Sequence, residues 1–275
     1  MAAQNDSPLF SFRGRHCDEF GVAFIPTRYP FIPAQTIPGM TIDSRHGSLR
    51  WPGRTFRPTA FEGTMYLMDT AGGVDPILTG EALRRASGIA QWLCGEDGRG
   101  KLVLDALDDR YYIAEVNAEA VMSDTDWFSG AMDLTFVCQP FARSLREKTL
   151  AVETEANAAK SDTLIVDGNA QTVLAFSVTN ISSAAVNAVT IEAPDTRFSF
   201  EALQLDAGET LQGSYTDDDI LLLRIEGVDG ALRSAMALRT TDSDDDLLLM
   251  PGRNRVTVKT DRSCKVRLSA RGRWH

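Results

Sequence analysis

The sequence predicts a mainly β protein with two domains and a single α-helix. Apolar residues with helical spacing occur between residues 80 and 94. Strict alternation of apolar and polar residues, typical of a half-buried strand, recurs at residues 131–138, 255–260 and 265–270. A polar stretch near residues 145–162 separates the two halves. The helix therefore belongs to the first domain, and the second domain is predicted to consist of strands.

The helix is predicted from a stripe of apolar residues on one of its faces. These residues are Leu83, Ala86, Ile89, Ala90 and Leu93. Thr79 stands where a capping hydroxyl is favoured, and Gly95 stands where helices commonly end in the left-handed conformation. We therefore expect a helix of about four turns that ends at the glycine.

Three strands are predicted after the helix. Residues 101–105 and 110–116 form the first two, joined by an acidic turn at residues 108–109. Residues 131–138 form the third. Its buried face consists of Met132, Leu134, Phe136 and Cys138. Pro140 cannot donate to a sheet ladder, so it is expected to end this strand. Phe136 is expected to be buried together with Trp92 of the helix.

The second half reads as a β-sandwich with polar outer faces. Residues 146–162 are either a linker or the solvated start of this domain. Asp167 and Gly168 mark a hairpin turn. The last two strands, 255–260 and 265–270, share one buried face. That face consists of Val256, Val258, Val266 and Leu268.

The order of these elements resembles the distal tail proteins of long-tailed, siphovirus-type bacteriophages. The shared motifs are a helix ending in Trp-Leu, a Tyr-Tyr strand after a charged turn, a Phe-x-Cys-x-Pro-Phe domain end and a late Pro-Gly-x-Asn turn. The matching residues are Trp92, Leu93, Tyr111, Tyr112, Phe136, Cys138, Pro140, Phe141, Pro251, Gly252 and Asn254. Residues 12–17 and 28–38 also look like the family. The resemblance covers residues 9–144 and, more loosely, 163–270.

This resemblance implies a structural protein with no catalytic residue, cofactor or metal. Residues 1–145 would be an N-terminal β-sandwich or split-barrel domain that forms a hexameric belt. Residues 146–275 would be a galectin-like β-sandwich that points outward as a platform. The ring would join the tail tube protein to the tail-tip hub protein, carry receptor-binding proteins and let DNA pass without specific binding. It would be made in the bacterial host cytoplasm and reside at the virion tail tip, with no membrane partner.

Prolines point to a docking surface in the first domain. Pro26, Pro30, Pro33 and Pro38 keep the segment around residues 28–40 extended. We expect this segment to contribute to ring assembly. A closed ring requires heterologous contacts, in which two different patches of each copy meet.

Composition is that of an acidic globular protein. The chain has 275 residues, 43% of them hydrophobic and 24% charged, and a net charge of −10. The acidic excess argues against adhesion to nucleic acid, and in a ring it would keep DNA phosphates from sticking to the lumen. Residues 168–191 are uncharged, but their asparagines and serines fit strands better than a membrane span.

The sequence also favours synthesis inside a cell without export. The first seven residues lack the basic start and apolar core of a secretory signal. The cysteines have no paired spacing, so reduced and mostly buried thiols are expected. These are Cys17, Cys94, Cys138 and Cys264.

Residues 95–101 imitate a phosphate-binding P-loop. Leu102 follows where the metal-binding Ser or Thr is required, and Glu96 and Asp97 would repel phosphate. The predicted helix also precedes this loop, whereas a phosphate cradle needs a helix after it. The segment is therefore predicted to be a tight turn from helix to strand.

Histidine-containing motifs are weak candidates for chemistry. In an extended segment, His16 and Cys17 would point to opposite faces and could not form a nucleophile–base pair. Neither the His16-Cys17-Asp18 motif nor the pair Asp43 and His46 has further Cys or His ligands nearby in the sequence. Ordinary surface or interface histidines are expected.

An acidic run imitates a calcium loop. Asp242, Asp244 and Asp246 have the spacing of its ligands. Leu247 replaces the required glycine, however, and Arg253 stands in place of the closing glutamate. A solvated acidic turn is expected here, and also at residues 217–219.

The alternative function is a carbohydrate-binding module that recognises host surface glycans. A third possibility is an accessory domain of a glycan-degrading enzyme, for which no acid pair can be named. Galectin-type recognition stacks a sugar on a tryptophan, and residues 128–273 contain none. The aromatic residues that remain are expected to belong to the core. These are Phe176, Phe198, Phe200 and Tyr215.

Overall fold

The predicted mainly β fold class is confirmed. The computed structural model describes residues 9–30, 32–36, 39–41, 48–50, 55–67, 80–95, 98–117 and 131–275. These residues form antiparallel sheets and one α-helix. The chain divides into two compact units, residues 1–142 with residue 275, and residues 143–274. Within the described residues, the helix is too short and too polar to cross a membrane.

The described residues of the first unit form eleven strands and the helix. The strands are β1 (Phe10–Phe12), β2 (Arg15–His16), β3 (Val22–Arg28), β4 (Gln35–Thr36), β5 (Gly39–Thr41), β6 (Ser48–Arg50), β7 (Thr55–Phe56), β8 (Thr59–Leu67), β9 (Arg99–Leu104), β10 (Arg110–Val116) and β11 (Ala131–Cys138). The helix α1 spans Gly80–Cys94, as predicted, and short 3-10 helices span Cys17–Phe20 and Asp105–Leu107.

Seven of these strands form one antiparallel sheet, in the order β2-β1-β9-β10-β11-β8-β3. The longest ladder pairs β11 with β8, so that Phe136 lies opposite Phe61. The predicted strand at residues 131–138 is confirmed, and Leu134, Phe136 and Cys138 are buried. Met132 is half-buried.

Two short antiparallel ladders lie in the chain between β3 and β8. Strand β4 pairs with β7, and β5 pairs with β6. Within the described residues, these four short strands pair with one another and with no strand of the main sheet. We call residues 35–56 the hairpin arm.

The second unit contains twelve strands. They are β12 (Ala142–Thr154), β13 (Ala159–Val166), β14 (Thr172–Val173), β15 (Ala175–Asn180), β16 (Val189–Glu192), β17 (Arg197–Phe200), β18 (Thr210–Tyr215), β19 (Leu221–Glu226), β20 (Leu232–Ser234), β21 (Leu248–Leu249), β22 (Gly252–Thr260) and β23 (Cys264–Trp274). A 3-10 helix spans Met236–Leu238.

The second unit is a β-sandwich, as predicted. One sheet has the order β12-β23-β15-β18-β19-β20, and the other has the order β13-β22-β16-β17. Strands β22 and β23 lie in different sheets, so their buried valines meet in one core between the sheets. The predicted buried face of the last two strands is therefore confirmed, although the two strands do not pair with each other.

Of the two interpretations of residues 146–162, the solvated start of the second domain agrees with the structure, because these residues form most of β12 and the start of β13 and are mostly exposed. One detail of the sequence analysis needs correction. Asp167 and Gly168 do not form a hairpin turn, because β13 pairs with β22 whereas β14 pairs with β21. Gly168 instead has a φ of 110°, and a Cβ there would lie 2.1 Å from the Arg273 carbonyl oxygen. The glycine allows close backbone approach, which sequence cannot distinguish from a turn.

Candidate functional site

Two signature aromatic residues of the first unit, Trp92 and Phe136, belong to one aromatic cluster. The Trp92 ring stacks on Phe20 at 4.2 Å and on Phe10 at 5.5 Å between centroids. The Phe136 ring contacts Phe10 at 5.5 Å and Phe12 at 5.4 Å, edge to face. Trp92 and Phe136 are both buried, as predicted, with the two rings of β1 between them. The helix therefore packs on the sheet through β1.

Side-chain hydrogen bonds fix the helix in place. Trp92 Nε1 donates to the Phe12 carbonyl oxygen at 2.8 Å, while the neighbouring Leu93 is buried. Arg85 donates to the carbonyl oxygens of Phe20 and Gly21, each at 2.8 Å. Arg85 thereby supplies hydrogen-bond donors to the carbonyl oxygens at the end of the 3-10 helix Cys17–Phe20, where a helix offers no donors of its own. The sequence analysis missed this arginine, because its partners lie more than sixty residues away.

The Tyr-Tyr pair lies on β10, and both side chains are buried. Consecutive strand residues point to opposite faces, so Tyr111 and Tyr112 show that both faces of the sheet are covered there. Tyr112 contacts the Phe61 ring at 5.0 Å and donates a hydrogen bond to Tyr29. Burial raises the pKa of Tyr112 above its usual value. The Lys101 ammonium lies 4.8 Å above the Tyr111 ring.

The end of the first unit follows the predicted order. Cys138 is the last residue of β11, and burial raises the pKa of its thiol. Pro140 and Phe141 form the bend between β11 and β12, so the strand ends where the proline predicts. The half-buried Phe141 ring contacts the Phe56 ring at 5.0 Å.

The Pro-Gly-x-Asn turn is built around a buried asparagine. Asn254 is 1% exposed at the start of β22. Its Nδ2 donates to the Gly252 carbonyl oxygen at 3.0 Å, and it also bonds the backbone of Met250. Gly252 has a φ of 95°, which favours glycine. Pro251 lies at the exposed bend.

The P-loop lookalike is a helix-to-strand turn, with α1 before it and β9 after it. Its glycines make room for Arg13. A Cβ on Gly95 would lie 1.9 Å from Arg13 Nη1, and a Cβ on Gly100 would lie 2.3 Å from Arg13 Cγ. The predicted left-handed stop at Gly95 is wrong, because its φ is not positive, whereas that of Gly98 is 59°. Glu96, Asp97 and the predicted cap Thr79 lie outside the described residues.

The acidic run near residue 244 covers the free edge of β17. The backbone N–H groups of Thr240 and Asp244 donate to the carbonyl oxygens of Ser199 and Arg197, each at 2.9 Å. In return, the Arg197 N–H donates to the Asp244 carboxylate at 2.6 Å, and the Ser199 N–H donates to the Ser243 hydroxyl at 2.9 Å. The segment therefore blocks strand pairing at this edge.

The other two acids of this run have different surroundings. Asp242 accepts from the Thr240 hydroxyl, which lowers the pKa of its carboxyl group. Asp246 lies beside Tyr215, and burial raises the pKa of its carboxyl group. The predicted acidic turn is therefore exposed at Asp242 but partly buried at Asp246.

The acidic run at residues 217–219 is not simply solvated. Asp219 has a φ of 61° and accepts from Arg143 Nη2 at 3.0 Å and from Arg273 Nη2 at 2.5 Å. Both arginine side chains are nearly buried, and burial lowers the pKa of Arg273. The negative charge of Asp219 offsets part of the free-energy cost of burying these two cations. Sequence gave no signal for this triad, because its members are far apart in the chain.

The structure brings His16, Cys17 and Asp18 together, contrary to the sequence analysis. The chain is not extended here, because the 3-10 helix begins at Cys17. One ligand atom from each side chain lies within 4.8 Å of the other two. His16 also lies 3.2 Å from a carboxylate oxygen of Asp105. The other pair considered, Asp43 and His46, lies outside the described residues.

The aromatic residues of the sandwich are core residues, as predicted for the phenylalanines. Phe176, Phe198 and Phe200 are buried and contact one another edge to face at 6.2–6.4 Å. The Tyr215 hydroxyl accepts the Leu247 N–H at 3.3 Å. These phenylalanine rings have no face open to a sugar.

The predicted free and mostly buried thiols agree with the structure. Cys17, Cys138 and Cys264 are buried, but Cys94, at the end of the helix, is exposed. All four are free.

The first unit has an exposed apolar edge. Strand β3 ends the sheet and pairs with β8 alone among the described strands. Ile25 on this strand is 48% exposed, and beyond it Tyr29 and Ile32 are 50% and 62% exposed. We call these three residues the β3 patch. Pro26, at a bulge in β3, fits an edge position.

Comparison with known proteins shows the fold. No family model matches the sequence, and no curated protein does. Among solved structures, the chain is similar to the Dit protein of phage SPP1, described as a paradigm of the hub adsorption apparatus in phages that infect Gram-positive bacteria. That match has 13% identity and a TM-score of 0.63, and it covers 97% of this chain and 99% of that chain.

Two structures of the phage p2 baseplate in its activated conformation, one with calcium and one with strontium, are also similar. Their TM-scores are 0.50 and 0.52, at 6% and 7% identity, and each covers 96% of this chain and 97% of that chain. The structural neighbours are phage Dit and baseplate hub proteins. At these identities the likeness shows the fold alone.

Proposed function

We propose that this chain is a structural protein of a phage tail tip, of the distal tail type. The observation that carries the proposal is the extent of the fold similarity, which runs over nearly the whole of this chain and of the SPP1 Dit protein. A match of one sandwich alone would have little weight, because sandwiches serve many functions. Here the similarity takes in both units.

In this proposal, copies of the chain form a closed hexameric ring through the first domain, residues 1–145. A ring requires two different patches on each copy. The β3 patch supplies exposed apolar area on a strand that pairs with β8 alone among the described strands. The hairpin arm supplies the second patch, through the short ladders β4–β7 and β5–β6.

The second domain, residues 146–275, is proposed to be a galectin-like platform that points away from the ring. Its sandwich core is complete, and the edge of β17 is covered by the acidic segment. Edge β20 is exposed at all three residues, including Leu232. This edge could carry receptor-binding proteins.

The proposed ring joins the tail tube protein on one side to the tail-tip hub protein on the other, and DNA passes through its lumen. The net charge of −10 supports passage without specific binding, because acidic walls repel phosphates. The proposed location is the virion tail tip, after synthesis in the host cytoplasm. No catalytic step is part of the proposal.

The carbohydrate-binding alternative has less support. Sugar recognition by a sandwich commonly stacks the ring on an exposed aromatic side chain. The phenylalanines of the sandwich are instead packed against one another in the core. Glycan affinity without ring formation would favour this alternative over the hub.

Ring formation is tested by mass photometry and electron microscopy of the purified chain, alone and with its tail tube and tail-tip partners. We expect closed hexameric particles, at high protein concentration or on addition of a partner. Particles that stay monomeric alongside both partners would overturn the proposal.

A matched pair of variants tests the interface. Ile25→Glu places a charge in the β3 patch, and Ile165→Glu places one at a similarly exposed position (52%) on β13 of the second unit. We expect Ile25→Glu to abolish the ring and Ile165→Glu to retain it. Circular dichroism and melting temperature confirm that both variants fold.

A further inference from the structure

A turn at the start of the first unit gathers three side chains with metal-binding atoms. His16 offers an imidazole nitrogen, Cys17 a sulfur and Asp18 a carboxylate oxygen, all within 4.8 Å of one another. Among the described residues, no other three His, Cys, Asp or Glu side chains converge in this way. Imidazole nitrogen, thiolate sulfur and carboxylate oxygen are the three ligand types of protein zinc sites.

Both ring nitrogens of the histidine have a defined neighbour. Its Nε2 lies 3.2 Å from Asp105 Oδ2, so an imidazole with its proton on Nε2 would donate to that carboxylate. In that tautomer the Nδ1 lone pair accepts the Asp18 N–H at 3.3 Å and lies 3.2 Å from Asp18 Oδ2, and a metal ion would take the place of the N–H donor. A carboxylate behind a histidine is the usual outer support of a metal-bound imidazole.

The cysteine is placed to act as a ligand. Cys17 Sγ is buried and accepts the Phe10 backbone N–H at 3.3 Å. On metal binding the S–H bond breaks, a metal–sulfur bond forms, and the proton leaves to solvent.

The donor set and its charge select the kind of ion. Sulfur, nitrogen and oxygen ligands together suit borderline ions such as Zn²⁺ and Co²⁺, rather than Ca²⁺ or Mg²⁺, which prefer oxygen alone. One thiolate and one carboxylate neutralise a divalent cation. Glu19 is already occupied by Arg15 at 2.9 Å, so the set is complete at three protein ligands, with one position open to water.

We propose that His16, Cys17 and Asp18 bind a divalent transition-metal ion of the zinc class, with Asp105 as a positioning residue. The site is independent of the proposed ring. A bound ion would hold the turn at Cys17–Phe20 against β1, because the Cys17 sulfur accepts the backbone N–H of Phe10. Phe10 in turn belongs to the aromatic cluster.

Titration of the metal-free full-length chain with Co²⁺ tests the site. We expect one ion per chain, a sulfur-to-cobalt charge-transfer band in the near ultraviolet, and displacement by Zn²⁺. Cys17→Ser should remove the band, and Cys94→Ser, at the exposed thiol, should keep it. Asp105→Asn should retain the band but weaken affinity by roughly 10–100-fold.

Absence of the band in the unmodified chain would overturn the proposal, as would its survival in Cys17→Ser. If Cys17→Ser fails to fold by circular dichroism, His16→Gln serves in its place. This variant keeps the buried thiol and should lose at least about tenfold in Co²⁺ affinity. Unchanged affinity in folded His16→Gln would equally reject the site.

Discussion

The side chain of Asn254 bonds both backbone polar groups of Met250. Its Oδ1 accepts the Met250 N–H at 2.9 Å, and its Nδ2 donates to the Met250 carbonyl oxygen at 2.7 Å. The amide thus acts as a local substitute for a strand partner, and it closes the turn that leads into β22. This relationship explains why asparagine, with one donor and one acceptor group, follows the Pro-Gly of the signature.

Asn254→Asp should destabilise the chain, because the carboxylate keeps the acceptor but loses the N–H donor and is buried. We expect a loss of about 1–3 kcal/mol in the free energy of unfolding, measured by urea denaturation. Gln171→Ala, at an exposed position, is the control and should change stability by less than about 0.5 kcal/mol. Equal effects of the two changes would contradict the role of Asn254.

Phe136→Ala should destabilise the first unit by about 3–5 kcal/mol, since the ring is fully buried among other aromatic side chains. Phe141→Ala removes the same ring at a half-buried position and should cost clearly less. Chemical denaturation measures both. A loss below about 1 kcal/mol for Phe136→Ala would show that the cavity closes or that the packing differs.

Gly95→Ala should be destabilising through a clash with Arg13, because the new methyl group meets the guanidinium. Truncating Arg13 to Ala should relieve that clash. In a double-mutant cycle, we therefore expect Gly95→Ala to cost less in the Arg13→Ala background, with a coupling of about 0.5–3 kcal/mol. Gly88→Ala on the same helix, where a Cβ meets nothing within 4 Å, is the control and should not couple.

Thiol reagents should distinguish Cys94 from the other cysteines. Cys94 is exposed and should react fast, whereas the buried Cys17, Cys138 and Cys264 should react only as the fold opens. Cys94→Ser should remove the fast phase. Three or more fast thiols in the folded chain would refute the described burial.

The same thiols predict a loss of stability at high pH. Burial raises the pKa values of Cys17 and Cys264 from 9.0 to about 11. A raised folded-state pKa gives stability that is complete below the unfolded value and is lost as pH rises through the folded value. Urea midpoints should therefore fall between pH 9.0 and about 11. Cys264→Ala should show a shallower fall, and an unchanged slope would argue against this linkage.

The sequence predicted what local periodicity encodes. The helix stripe at Ile89 and Leu93 and the alternation around Phe136 depend on neighbours a few residues away, so both elements were found. Gly95 and Gly168 were misread as a helix stop and a hairpin, because each meets a backbone or side chain distant in sequence. The sequence shows that a glycine is present, but it does not show which distant residue packs against that glycine.

Side-chain clusters were the hardest to predict. Asp219 was interpreted as solvated, but it accepts hydrogen bonds from Arg143 and Arg273, which lie at the two ends of the second unit's sequence. A nucleophile–base pair of His16 and Cys17 was excluded for an extended chain, and a metal site was disfavoured because no further Cys or His lies nearby in the sequence; the structure instead has a turn of four residues here. Both depend on backbone geometry and pairing over many residues, which no local pattern contains.

The position of β23 has a consequence for how the second unit is made. This strand, the last of the unit in sequence, lies between β15 and β12, the first strand. Residues 264–274 must therefore leave the ribosome before the larger sheet can form. Until then, the backbone N–H and C=O groups of β15 that pair with β23 have no strand partner. Pairing over such a long sequence separation slows folding. We expect the nascent second unit to need protection from aggregation until translation of β23 is complete.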